Sequence, residues 1–167
     1  PSTDGVLAHE PSPYEYWSNG VNADNEWTFL SGSTPSAGTG PAGNVNYAYC
    51  EVLPSKVGQT FGLVTPLIDL LENDNAEDGG DTVSYLNFDY HMHGSGIGTL
   101  IAEVSTDRNF DASVADVTEV FRKSGQQHTT PTQAFTSSGN ISLRDFAGKR
   151  IYIRFIYTAG VSHLGDC

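Results

Sequence analysis

The stretch LNFDYHMHGSGIGTLIAEVS, residues 86–105, decides the expected fold. In its first half apolar and polar side chains alternate, which is the pattern of a strand with one buried face. After the glycines, TLIAEVS (99–105) alternates again, so GSGIG (94–98) is predicted to be a hairpin connection between two strands. The first strand is predicted to have an inner face and an outer face, the inner one formed by Leu86, Phe88, Tyr90 and Met92 and the outer one by Tyr85, Asn87, Asp89, His91 and His93.

The rest of the chain repeats this organisation. RIYIRFIYTAG (150–160) carries mostly apolar side chains on both of its alternating faces. This pattern predicts a strand that is well covered. Turn-forming Gly, Pro, Asn and Ser separate such segments. This arrangement predicts an all-β protein, an antiparallel jelly-roll β-sandwich that forms a single domain over residues 1–167. Further strands are predicted at 46–53, 61–65, 117–122, 134–136 and 140–143.

Composition limits the classes of partner. The formal net charge is -12, from 8 basic and 20 acidic residues, so we expect no binding to nucleic acid. No apolar run approaches the roughly 18 residues that a membrane span needs, so we also expect no membrane insertion. The sequence opens on Pro rather than Met, which predicts a processed form or part of a longer protein.

The two cysteines, Cys50 and Cys167, lie far apart in sequence and lack the paired spacing of a zinc site. One hypothesis is a single disulfide between distant segments, which would suit an oxidising compartment. The other is a pair of buried, inert thiols. The sequence does not choose between them.

The histidines of the opening stretch raise the question of a metal site. Asp89, His91 and His93 lie on one side of a strand, with about 7 Å between alternate residues, a spacing that can chelate zinc or copper. The alternative is three polar residues on the outer face of a sheet. Neither a G-x-S-x-G motif nor a histidine paired by sequence with Ser or Cys is evident, so we expect no enzyme.

Aromatic residues near the start of the chain are candidates for recognition. Trp17 and Trp27 flank a polar stretch, and Tyr14 and Tyr16 precede it. Their flat faces could stack on sugars or anchor a protein interface. Packing in the core or at its rim is the alternative use of such residues.

Several segments, taken in order, resemble the MAM domains of meprin, neuropilin and receptor tyrosine phosphatases, and especially their bacterial relatives. EWTFLSGSTPSAGTGPAGN (26–44) is similar to the segment near the start of bacterial members, and NYAYCEV (46–52) to the strand after it. The opening stretch is similar to the family's most recognisable segment, an aromatic strand, His-Met, a glycine turn and Gly-Thr-Leu. The later matches are FRKSGQQ (121–127), ISLRDFAGKRIYIRFIYTAG (141–160) and HLGDC (163–167).

The resemblance implies an extracellular or cell-surface module for adhesion, assembly or recognition, without catalytic activity of its own. Family members usually continue into a short acidic closing strand where this sequence stops, at Asp166 and Cys167. We therefore expect that the closing strand is missing or that a neighbouring chain supplies it. The resemblance also implies a structural Ca²⁺ where the first and last segments meet, with the nearest acidic residues being Asp24, Glu26, Glu51 and Asp166.

Three hypotheses about function follow. The first is a non-catalytic extracellular module that mediates attachment or assembly through a protein or surface ligand. The second is a carbohydrate-binding module that uses the aromatic residues. The third is a structural subunit of a virion or surface filament, which self-associates by receiving a strand from a neighbouring chain.

Overall fold

The computed structural model describes residues 17–20, 22–32, 34, 46–70 and 84–167. These residues form an all-β structure whose sheets are antiparallel apart from one short parallel pairing. Short 3₁₀ turns occur at Pro54–Lys56 and Arg144–Phe146. The strands are β1 (Ser18–Asn19), β2 (Asn25–Glu26), β3 (Thr28–Ser31), β4 (Asn46–Tyr49), β5 (Thr60–Val64), β6 (Ile68–Asp69), β7 (Tyr85–Leu86), β8 (Asp89–Tyr90), β9 (Thr99–Ser105), β10 (Val117–Ser124), β11 (Thr136–Ser137), β12 (Ile141–Ser142) and β13 (Arg150–Thr158).

The longest strands build one large sheet in the order β1-β5-β13-β9-β10, with β2 beside β5 and β6 beside the start of β13. Side chains in register share a face of the sheet, so Tyr157 lies between Leu100 and Phe61. All three are buried, because this face is turned toward the core. β10 is less regular, since its register shifts between Glu119 and Phe121.

A second layer of short pairs lies across the core from this sheet. β7 pairs with β12, β8 with β11, and β3 with β4. Tyr90 and Met92 are buried against Leu100 and Tyr157 of the large sheet, and Leu143 is buried against Ile153. The fold is therefore sandwich-like. No helix within the described ranges has the length and apolar character to cross a membrane.

Both long strands predicted from alternation are confirmed. β9 covers the predicted residues 99–105, and β13 occupies most of 150–160. The well-covered character of β13 is confirmed too, since even Arg154 on its second face is only 8% exposed. The single strand predicted across the first half of the opening stretch is instead divided into β7 and β8.

The hairpin predicted at GSGIG is wrong. β9 pairs with β13 and β10, while β8 pairs with β11, so residues 94–98 cross from one layer to the other. The glycines are needed for close packing against residues 158–165. A Cβ on Gly98 would collide with the carbonyl oxygen of Thr158, and one on Gly94 with that of Leu164.

Candidate binding cleft

The second layer contains a cleft of about 450 Å³. One wall is the whole of β4, and another is residues 88–91. Its lining also includes Leu63, Leu100 and Phe155 of the large sheet, so the cleft reaches down to the core. An opening of this size with mainly apolar walls has the character of a binding site.

Aromatic side chains make up much of the lining. Trp17 lies 6.3 Å from Phe155, measured between ring centroids. Phe135 links the two walls, because its ring lies 6.1 Å from that of Tyr47 and 5.9 Å from that of His91. The Tyr47 hydroxyl donates a hydrogen bond to the carbonyl of Gly32, which fixes this side chain to the end of β3.

The sequence predicted that His91 lies on an open outer face. Instead, its ring stacks on His128 with 4.3 Å between ring centroids. His128 is fully buried, and its Nδ1 accepts a hydrogen bond from the Met92 N–H at 3.0 Å. Its Nε2 pairs with the Thr136 hydroxyl at 3.1 Å. Both nitrogens of His128 are thus engaged within the protein, so this ring is not available to a metal ion.

The environment of His91 keeps it neutral at pH 7. Burial lowers its pKa to about 4, and nearby His128 and His93 contribute in the same direction. The carbonyls of Thr130 and Gln133 lie near the ring. Even so, its buried Nε2 has no hydrogen-bond partner of acceptable geometry among the described residues.

Two further buried polar atoms in the cleft residues share this condition. Trp27 Nε1 and Thr34 Oγ1 also have no hydrogen-bond partner within the part of the chain that the structure describes. Buried polar groups are normally hydrogen-bonded, and each exception requires an explanation. The cleft residues Trp27, Thr34 and His91 therefore have hydrogen-bonding capacity that these protein contacts do not use.

Asp166 and Cys167, near the end of the sequence, also line the cleft. The Cys50 N–H donates to the Cys167 carbonyl at 2.8 Å, and the Val52 N–H donates to the Asp166 carboxylate at 3.1 Å. The Tyr157 hydroxyl donates to the Gly165 carbonyl at 2.8 Å. Because the partner's number falls as the residue number rises from 50 to 52, this segment runs antiparallel to the chain that leaves β4.

The predicted calcium ligands are only partly brought together. Asp24 accepts hydrogen bonds from the Thr60 N–H and hydroxyl, each at 2.8 Å, and these bonds lower its pKa. Glu26 is exposed in β2, where it pairs with Gly62. Glu51 and Asp166 both lie close enough to Tyr49 to add to the effect of burial in raising its pKa. Calcium at this position stays a prediction.

Among the described residues, the fold does not arrange Asp89, His91 and His93 as three ligands of one metal ion. All three residues line the cleft. Within the described ranges, however, no group of three or more His, Cys, Asp or Glu side chains is placed to hold a metal ion. The stacking of His91 on His128 instead makes the ring part of the cleft wall.

Two of the four predicted recognition aromatics, Trp17 and Trp27, line the cleft. Tyr14 and Tyr16 fall outside the described residues. Sequence reasoning placed Phe135 in a predicted strand at 134–136 but did not identify it as a site residue, and it assigned Phe88 only to the core. In the structure Phe135 directly precedes β11. The signal for the cleft was the local surplus of aromatic residues near β4, not any motif.

The sequence matches no known family model. The resemblance to MAM domains therefore rests on the ordered segments alone.

Proposed function

We propose that the chain is a non-catalytic, extracellular, MAM-like jelly-roll module for adhesion or assembly, and that its cleft binds an extended segment of a partner protein. The observation that carries this proposal is the arrangement of β4 along the cleft. β3 pairs with β4 over the residues from Asn46 to Tyr49, and the cleft is lined by the same four residues. A strand added beside β4 would complete the second layer by main-chain hydrogen bonding.

The direction of the added strand follows from the end of the cleft. Cys167 is already hydrogen-bonded to Cys50, just beyond β4, in the antiparallel sense. A partner segment lying farther along β4 would continue the same direction. Its backbone N–H and C=O groups are also the kind of partner that the unused polar atoms of Trp27 and Thr34 require.

The cleft also limits the side chains of the partner. Leu63, Leu100 and Phe155 at its depth favour apolar residues at alternate positions of the bound segment. Asp89 and Asp166 also line the cleft, and the whole chain carries a net charge of -12, so a neutral or basic segment is favoured over an acidic one.

Selection from a phage-displayed library of linear ten-residue peptides tests this proposal. We expect enrichment of sequences with alternating apolar residues, and saturable binding of the best synthetic peptide in calorimetry. Phe135→Ala should weaken that binding roughly 10-fold or more, because it removes a central aromatic contact. Tyr85→Ala is the matched control, since Tyr85 is 55% exposed in β7 and is not among the cleft-lining residues. Failure to select a saturable binder, or equal binding by both variants, would contradict the proposal.

A carbohydrate-binding module is the second candidate, favoured by the two tryptophans in the lining. Trp17 and Trp27 are both partly exposed, and indole faces stack on sugar rings. A glycan array would distinguish the candidates. Saturable binding of one glycan class that is lost in Trp17→Ala and kept in Tyr85→Ala would favour the sugar, whereas a blank array together with a peptide binder would favour the protein segment.

A further inference from the structure

We propose that Cys50 and Cys167 form a disulfide bond when the protein folds in an oxidising compartment, and that this bond fastens residues 165–167 beside β4. Both residues are free thiols in the structure. The crosslink is independent of what the cleft binds.

The backbone geometry brings the two cysteines to neighbouring positions. The Cys50 N–H donates to the Cys167 carbonyl at 2.8 Å, in the antiparallel arrangement already described. This bond brings the two backbones into contact, and the Cys167 thiol lies close enough to Cys50 to contribute to the raised pKa of its thiol. Such closeness is what a disulfide requires, since it spans Cα atoms roughly 4.4–6.8 Å apart. Both side chains also pack into the same hydrophobic cluster, with Tyr157 and Val52.

The chain offers no other pairing. It contains only two cysteines, separated by most of its length, yet the fold places them side by side. Two inert thiols would need only burial, and they could be buried anywhere in the core. Their adjacency is what the disulfide hypothesis requires and what the hypothesis of inert thiols leaves unexplained.

The reactivity of the folded thiols determines when the bond forms. Burial raises the pKa of Cys50 well above its ordinary value, and it raises that of Cys167 as well. The thiolate is the attacking form, so both thiols react slowly once they are buried. Oxidation therefore belongs to the folding process, before the core closes over the pair.

The oxidant is a small disulfide of the glutathione class. One cysteine thiolate attacks oxidised glutathione, giving a mixed disulfide and releasing one glutathione thiolate. The second cysteine thiolate then attacks the protein sulfur of that mixed disulfide, and the second glutathione leaves. The two cysteines are oxidised, the glutathione disulfide is reduced to two thiols, and the protons of the cysteines pass to the released thiolates.

The experiment begins with the full chain refolded in a glutathione redox buffer and quenched with acid. We expect an intact mass lower by the two thiol hydrogens, no thiol that reacts in denaturant, and one crosslinked peptide joining Cys50 to Cys167. Reduction of the oxidised protein should lower its thermal midpoint by about 10 °C, because the bond closes a long loop of the unfolded chain. In the double variant Cys50→Ala/Cys167→Ala, the same reductant should leave the midpoint unchanged.

The direct measurements on the wild-type chain do not depend on whether the variant folds. Two titratable thiols in a protein that has refolded cooperatively under these conditions would overturn the proposal. Intermolecular dimers joined through either cysteine in place of the internal crosslink would overturn it too. A reductant-induced shift of equal size in the double variant would show that the stabilisation does not come from this bond.

Discussion

β9 and β13 pair over seven residues, Thr99–Ser105 against Tyr152–Thr158, whereas β8 and β11, which lie in the other layer, pair over two. A long ladder fixes the register of every side chain on it, because a slip of one residue would exchange the two faces. A pair of two-residue strands fixes the register of its side chains much less firmly. The large sheet is therefore the frame of the molecule, and the second layer is where space for a ligand remains.

Polar groups show the same contrast. On the outer side of the large sheet, Arg154 donates to the Glu103 carboxylate at 2.6 Å, and its guanidinium lies 4.4 Å from the centroid of the Phe110 ring. In the second layer, Trp27 Nε1 and Thr34 Oγ1 are buried without a described partner. The charged groups of Arg154 and Glu103 on the large sheet therefore pair with each other. In the second layer, Trp27 and Thr34 have polar atoms that could form hydrogen bonds with a ligand.

The largest expected effect is a core truncation in the large sheet. Ile153→Ala should lower the free energy of unfolding by about 3 kcal/mol, since Ile153 is 2% exposed and its removal leaves a cavity. Leu86→Ala should cost only about 1 kcal/mol, because Leu86 is half-buried at the edge of the same cluster. Urea denaturation measures both. Equal losses would show that the two layers contribute alike to the free energy of unfolding.

The ion pair gives the next largest effect. Glu103→Gln should lower the free energy of unfolding by about 2 kcal/mol, because it leaves the Arg154 charge, in a side chain only 10% exposed, without its carboxylate. Glu119→Gln is the control. Its pair with Arg122, joined at 2.8 Å, is exposed to solvent, so no measurable change is expected. A comparable loss in the two variants would mean that the burial of the Arg154–Glu103 pair does not increase its contribution to stability.

Alternation along the chain predicted the long strands of the large sheet well, because β5, β9, β10 and β13 are long enough to show a period. It did not predict which strands would pair. Thr136 pairs with Tyr90 across more than forty residues of sequence, and period two carries no information about such a partner. The hairpin expected at residues 94–98 failed for this reason. The glycines there looked like a turn, but their near neighbours are residues 158–165.

The site was predictable only in part. Trp17 and Trp27 could be singled out because they cluster in sequence with other aromatics. Phe135 and His128 reach the region of His91 through loops, and only the folded chain brings them there. The adjacency of Cys50 and Cys167 likewise needed the fold, although the presence of only two cysteines had already limited the possible pairings to one.

The smallest expected effect is the dependence of stability on pH, and it belongs to the second layer. The folded protein holds the pKa of His91 at about 4, below the ordinary value of 6.5. The unfolded chain therefore takes up a proton at His91 at higher pH than the folded chain does. The contribution of His91 to the free energy of unfolding is fully present above about pH 6.5 and is lost as the pH drops toward 4. Because His91 remains partly exposed, the loss should be modest.

His91→Gln should make the decline in the free energy of unfolding between pH 6.5 and 4.5 shallower, as measured by urea denaturation at a series of pH values. His163→Gln is the control, since His163 is exposed outside the cleft and should leave the wild-type slope unchanged. The carboxylates and His128 are common to both variants, so a difference in slope between them reports on His91. Identical slopes would mean that His91 accepts a proton as readily in the folded chain as in the unfolded one, and the cleft wall would then be open to water at the point where it stacks on His128.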